Sequence, residues 1–187
     1  VLRLACGCSY DKVRIFDPVA GGEALVVLDV DAGALEVFED PVTGAPRLAC
    51  ASGTKVLVFD PVAGGEKLLV LDIGSSVKAL AVFREPATGA PRLACGSYDG
   101  KVRVFDAVSG GAALLMLDAG TSSLVIFEDL ATGALRLATS SGKIFDPVAG
   151  GDALVKLDGC GGSLAAFTDP ATGEPRLVSG SSDVRVW

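Results

Sequence analysis

Residues 92–106 read Arg92-Leu93-Ala94-Cys95-Gly96-Ser97-Tyr98-Asp99-Gly100-Lys101-Val102-Arg103-Val104-Phe105-Asp106. Two runs with apolar character flank Tyr98-Asp99-Gly100. An Asp-Gly pair in that setting signals a tight β-hairpin, because Gly supplies the positive φ that such a turn needs. After the turn, Lys101 and Arg103 alternate with Val102 and Val104, the period of a half-buried strand. Upstream, Val77 to Phe83 reads as a preceding strand. It is joined by Glu85-Pro86-Ala87-Thr88-Gly89-Ala90-Pro91, where Pro pre-sets the turn's backbone and Gly takes the left-handed position. Downstream, Ser109-Gly110-Gly111 reads as a further turn, and Ala113 to Asp118 as a fourth strand. Four strands in one antiparallel meander are predicted.

The meander recurs. Arg-Leu followed by Ala or Val begins at Arg3, Arg47, Arg92, Arg136 and Arg176, at offsets of 44, 45, 44 and 40 residues. Phe-Asp follows each of the first four, at Phe16-Asp17, Phe59-Asp60, Phe105-Asp106 and Phe145-Asp146. A Gly-Gly pair comes next, and a Thr-Gly turn closes each unit. A period of this size built from short apolar strands predicts the blades of a β-propeller, each burying its faces only against its neighbours. The chain is predicted to be all-β, a single propeller domain or segment over 1–187. Its units run approximately 1–34, 35–76, 77–122, 123–162 and 163–187. The fourth unit is short: Arg136 to Phe145 spans 9 residues where Arg92 to Phe105 spans 13. Its second or third strand should be cut down.

The run Leu93 to Asp106 resembles the Leu-Ala-Ser-Gly-Ser-x-Asp-Gly-x-Val-x-Val-Trp-Asp core of WD-repeat β-propellers. Leu177-Val178-Ser179-Gly180-Ser181-Ser182-Asp183-Val184-Arg185-Val186-Trp187 is closer still, lacking only the Gly after the Asp. The resemblance extends over essentially the whole chain. Kelch repeats also carry Gly-Gly pairs, but here the pairs fall between third and fourth strands, without the Tyr and Trp companions. The departures from the WD pattern are specific. No unit has the family's Gly-His pair, Phe replaces Trp in four of five units, and the hairpin Asp survives only as Asp11, Asp99 and Asp183. A buried polar network kept only in part is unfavourable. The blades should therefore rest on apolar packing, with these Asp side chains partly in water.

Composition narrows the function. Half of the 187 residues are hydrophobic, enough for a substantial core. No run approaches the roughly 20 apolar residues of a membrane helix, and no basic-then-apolar leader is visible. A net charge of −7 speaks against nucleic-acid binding, which relies on clustered Lys and Arg. The absence of His removes the commonest general base and metal ligand. Cys6, Cys50 and Cys95 share one repeat position with Thr139 and Ser179, so they read as small strand-packing residues. With an odd total of five cysteines, reduced thiols and a reducing, cytoplasmic setting are expected.

Catalytic patterns are weak. Lys12, Lys55, Lys101 and Lys143 recur at the head of the third strand and read as solvated edge residues, not as bases for a Ser or Cys nucleophile. The carboxylate pairs Glu39-Asp40 and Glu128-Asp129 match glycosidase chemistry only in residue type; lying beside a repeated turn, they read as turn caps. Cys6-x-Cys8 has no second pair at zinc spacing, and Asp29-Val30-Asp31 is not followed by a calcium-loop pattern. No metal, cofactor or catalytic residue is assigned. The repeated Arg should form exposed ion pairs with Asp40, Glu85, Asp129 or Asp169, of the kind that contribute little at a surface.

The strand pattern opens at a second strand and closes after a third, for 18 strands in all. Rings generally have four to eight blades, so the strands read as roughly half of a WD-type ring. Completion is expected from the remainder of a longer chain or from a second copy closing a dimeric ring; a small four-bladed ring or open arc is the other option. The resemblance implies a non-enzymatic scaffold that binds other proteins or peptides. The alternative is a structural segment completing a propeller in a larger assembly, and a propeller-fold hydrolase is the remote one. The family's partner-binding top face, built by the loops joining second to third and fourth to first strands, maps here to Tyr10, Asp11, Asp31, Ser75, Ser76, Tyr98, Asp99, Thr121, Ser182 and Asp183. No membrane or nucleic-acid partner is expected.

Overall fold

The computed structural model describes residues 2–8 and 12–187. They form eighteen strands in five antiparallel sheets and no helix. The first sheet has three strands, β1 (Leu4–Cys8), β2 (Lys12–Phe16) and β3 (Val26–Leu28). Three four-stranded sheets follow. The second holds β4 (Ala34–Glu39), β5 (Pro46–Ser52), β6 (Lys55–Phe59) and β7 (Leu69–Asp72). The third holds β8 (Val77–Arg84), β9 (Pro91–Ser97), β10 (Lys101–Asp106) and β11 (Gly110–Asp118). The fourth holds β12 (Leu124–Asp129), β13 (Ala134–Thr139), β14 (Lys143–Phe145) and β15 (Val155–Lys156). The fifth is β16 (Ser163–Thr168), β17 (Pro175–Gly180) and β18 (Val184–Val186).

Each sheet is a meander in chain order, as the hairpin and turn chemistry requires. At the central hairpin the Gly100 N–H donates to the Ser97 carbonyl, with Gly100 at φ 78°. The Gly-Gly segment differs from its expected role as a plain turn. Gly110 already pairs with Asp106 across a register shift, so β11 starts there. Both glycines have positive φ, and a Cβ on Gly110 would meet Leu69 of the second sheet at 2.8 Å. The positive φ at both positions is what favours Gly there.

Consecutive sheets meet along their inner strands, β1 on β4, β4 on β8, β8 on β12 and β12 on β16. The apolar residues gather in the gaps between sheets. One cluster joins the second and third sheets through Phe38, Val56, Val58, Leu71, Leu93, Cys95 and Phe105. Another joins the third and fourth through Phe83, Val102, Val104, Leu117, Leu137 and Phe145. Val13, Ile15, Leu28 and Leu48 join the first to the second. The last gap is thin, with only Ala138, Ile144 and Leu177 buried there. Cys50, Cys95, Thr139 and Ser179, all at the shared repeat position, are buried. Burial pushes the Cys50 and Cys95 thiols up to about 12, so both stay protonated and inert.

Candidate interaction surface

The loops joining second to third and fourth to first strands lie at one end of each sheet. In the third unit the structure ties several expected residues together there. The Tyr98 N–H donates to the Ser76 carbonyl at 2.8 Å, and the Asp99 N–H donates to Ser75 Oγ at 3.1 Å. The loop from the second sheet thereby braces the hairpin of the third. Beneath the turn, Asp99 accepts from Ser97 Oγ (2.7 Å), from the Lys101 N–H (3.2 Å) and from both terminal nitrogens of Arg103 (3.2 and 2.6 Å). The Arg103 guanidinium, ahead of the other donors, holds the Asp99 carboxyl well below the usual carboxylate range. The Asp99 side chain is still 32% exposed, partly wetted as expected.

This fixed hairpin presents Tyr98. The residue is 81% exposed, and the Lys78 ammonium lies 5.7 Å from its ring centroid. An aromatic ring on a rigid turn, with a cation at its face, is the profile of a recognition anchor, since little side-chain freedom is lost on contact.

The remaining expected residues are distributed. Thr121 serves the junction of the third and fourth sheets: its Oγ1 accepts from the Ser140 N–H at 3.1 Å and lies 3.2 Å from Ser140 Oγ. Its methyl occupies the place of a Cβ on Gly96. Thr121 is thus chiefly a brace. Ser182 and Asp183 sit on the fifth sheet's hairpin, where Asp183 pairs with Arg185 at 3.1 Å and is 60% exposed. Asp31 is exposed on the loop leaving β3. Tyr10 and Asp11 lie outside the described residues.

Sequence reasoning does not single out Arg103, Ser97 or Lys78. For Arg103 a signal exists within the repeats. Units with the hairpin Asp carry an Arg in the next strand, as Asp11 with Arg14, Asp99 with Arg103 and Asp183 with Arg185. The second and fourth units lack both, with Leu57 and Lys143 at the matching strand position. An Asp–Arg pair thus takes the place of the histidine-centred network that the WD pattern implies.

At the opposite end of the sheets, the repeated Arg corrects one expectation. These pairs are not exposed: the Arg47, Arg92 and Arg136 side chains are only 16–18% exposed. Arg47 joins Asp40 (3.0 Å) to Asp60 (3.6 Å), and Arg92 joins Glu85 to Asp106 (2.6 Å). Arg47 and Arg92 therefore each link two turns of their sheet. The Asp of each Phe-Asp caps the second of those turns. Asp60 Oδ1 accepts from the Val62 and Ala63 N–H groups at 2.8 and 2.9 Å, and Asp17, Asp106 and Asp146 repeat the contact. Such Asx turns explain why the Asp of Phe-Asp recurs.

Catalytic arrangements stay weak. Asp40 and Asp129 accept turn N–H groups and pair with Arg, which occupies them structurally. Glu36 on β4 is half-buried, and desolvation raises its carboxyl. Among the described residues no three His, Cys, Asp or Glu side chains converge as a metal site would need.

No family model and no curated protein matches the sequence. Solved structures do match. The chain superposes over 99% of its length on Saccharomyces cerevisiae Sqt1, with TM-score 0.73 and 16% identity, covering 55% of that chain. BBS1N, solved in complex with ARL6DN, gives TM-score 0.70 at 14% identity, with 60% of that chain covered. The C-terminal WD40 domain of Sif2 gives 0.63 at 16%, with 51% covered. The chain thus spans between about half and three-fifths of these neighbours. Its five sheets, their meander order and their stacking are the fold of the WD-repeat β-propellers.

Proposed function

We propose that the chain is a non-enzymatic interaction scaffold whose top end binds a protein or peptide through the third unit. The observation that carries this reading is Tyr98, an exposed ring on a hairpin held by Asp99, Arg103, Ser97 and Ser75. The binding of ARL6DN by the structurally similar BBS1N is in keeping with it. Inert, buried thiols at Cys50 and Cys95 fit a reducing, intracellular setting. The test is affinity capture with quantitative mass spectrometry, comparing wild type, Tyr98→Ala and Val42→Ala. Val42 is an equally exposed residue on the turn at the opposite end of the second sheet. Partners held by wild type should be lost with Tyr98→Ala, kept with Val42→Ala, and the thermal unfolding of both variants should match wild type. An unchanged partner set with Tyr98→Ala refutes the assignment.

A second reading has its own support. The outward faces of the first and fifth sheets expose Leu2, Leu4, Phe167, Val184 and Val186, apolar surface of the kind that interior sheets cover. Further propeller sheets, supplied by a second copy of this chain, would bury it. Native mass spectrometry separates the cases: a mass twice 18.9 kDa supports a second copy, and a mass of 18.9 kDa at micromolar concentration refutes it.

A further inference from the structure

The shortened fourth unit changes charge pairing as well as strand length. In the third sheet Lys101 stands opposite Asp118 and the two form an ion pair. In the second, Lys55 stands opposite Asp72. In the fourth, the register sets Lys143 opposite Lys156. Like charges directly opposite one another on adjacent strands repel. Lys143 bends across to the third sheet and donates to the Asp118 carbonyl oxygen at 2.8 Å. Lys156 is exposed and has no carboxylate within ion-pair distance among the described residues.

Both lysines line one cleft between the third and fourth sheets, with a volume of about 540 Å³. That lies within the usual range for small-molecule sites, roughly 300–1,000 Å³. Met116 and Ala153 supply its apolar wall, with Phe145 buried behind it, and Asp118 and Asp152 its carboxylates. Asp118 is engaged by Lys101. Two ammonium groups therefore stand against Asp152, and the cleft is net cationic.

We propose that this cleft binds a small organic anion, with Lys143 and Lys156 taking the anionic group and Met116 and Ala153 contacting an apolar body. A phosphate monoester of an aromatic alcohol has this chemistry: lysines bind phosphate as point charges, and the ring fills the apolar wall. The site depends on the register of the fourth sheet, so the Lys–Asp pairs of the other units cannot form it.

Isothermal titration calorimetry of the full chain at low ionic strength tests the proposal, with phenyl phosphate and inorganic phosphate as probes. Phenyl phosphate should bind saturably with a Kd below about 1 mM, and inorganic phosphate about tenfold more weakly. Lys156→Asp places a carboxylate directly opposite Lys143. It should raise the melting temperature while weakening phenyl phosphate about tenfold or more, which separates loss of the site from loss of the fold. No saturable binding of phenyl phosphate, equal affinity for the two probes, or unweakened binding by Lys156→Asp would overturn it.

Discussion

The third and fourth sheets start from one template and end differently. The third has strands of eight, seven, six and nine residues; the fourth has six, six, three and two. The missing residues come out of the hairpin, so the loss lands on β14 and, through pairing, on β15. The polar content under the hairpin changes with it. Ser97, Asp99 and Arg103 form a charged network in the third sheet. In the fourth, Thr139 Oγ1 donates to the Lys143 carbonyl at 3.0 Å and lies 3.0 Å from Ser141 Oγ. What survives the deletion is the inner half: β12 and β13 stay six residues long, and Leu137, Ala138 and Thr139 stay buried. The inner strands carry the contacts between sheets, so a blade tolerates loss at its outer edge more readily than at its centre.

The largest expected effect contrasts Leu117 with Leu157, the residues ending the outer run of each sheet. Leu117 is fully buried, whereas Leu157 is only half-buried. Leu117→Ala should destabilise by about 2–5 kcal/mol in urea denaturation, and Leu157→Ala by less than half of that. Equal costs would mean that the fourth sheet's outer edge is as well packed as the third's. Next comes the repeated Arg. Arg92→Ala breaks a half-buried link between two carboxylates and should cost about 1–3 kcal/mol. Arg176, more exposed and 3.3–3.5 Å from its partners, should cost about 0–1 kcal/mol.

The smallest contrast is between the hairpin aspartates. Asp99→Ala should cost about 1–2 kcal/mol and Asp183→Ala about 0–1 kcal/mol. The Asp99 effect has a defined pH window. Its folded-state pKa is depressed, so its contribution is complete above the unfolded value of about 4 and is lost only as pH falls from there through the depressed folded value. Denaturation of wild type and Asp99→Asn should therefore differ most at pH 7, by somewhat less at pH 3, and converge only at still lower pH. A difference that does not shrink at all between pH 7 and pH 3 would show that the charge on Asp99 is not its source.

Much of this fold is legible because the repeat is written several times. Glycines at forced conformations, the alternation in residues 101–105 and the short interval from Arg136 to Phe145 mark the strands, their number and the place of the deletion. Spacing alone identifies Asp40, Glu85, Asp129 and Asp169 as partners of the repeated Arg. It does not reveal their partial burial, which depends on Asp60 and Asp106 arriving from a different turn. Of the surface residues, Ser75 and Ser76 do meet Tyr98 and Asp99. Thr121 points into a joint, since its methyl fills the space that Gly96 leaves, and spacing along the chain does not report such filling. Lys78 over Tyr98 is not legible either, because the two are far apart along the chain and meet only once the sheet has formed.

Native-state hydrogen exchange tests the central claim most directly, that this is a stack of propeller sheets whose fourth member is cut back at its outer edge. Amides of β9 and β10, within the longest sheet and between two apolar clusters, should exchange most slowly. Those of β12 and β13 should follow, and those of β14 and β15 should exchange many times faster. Protection of β14 and β15 equal to that of β10 and β11 would contradict the account.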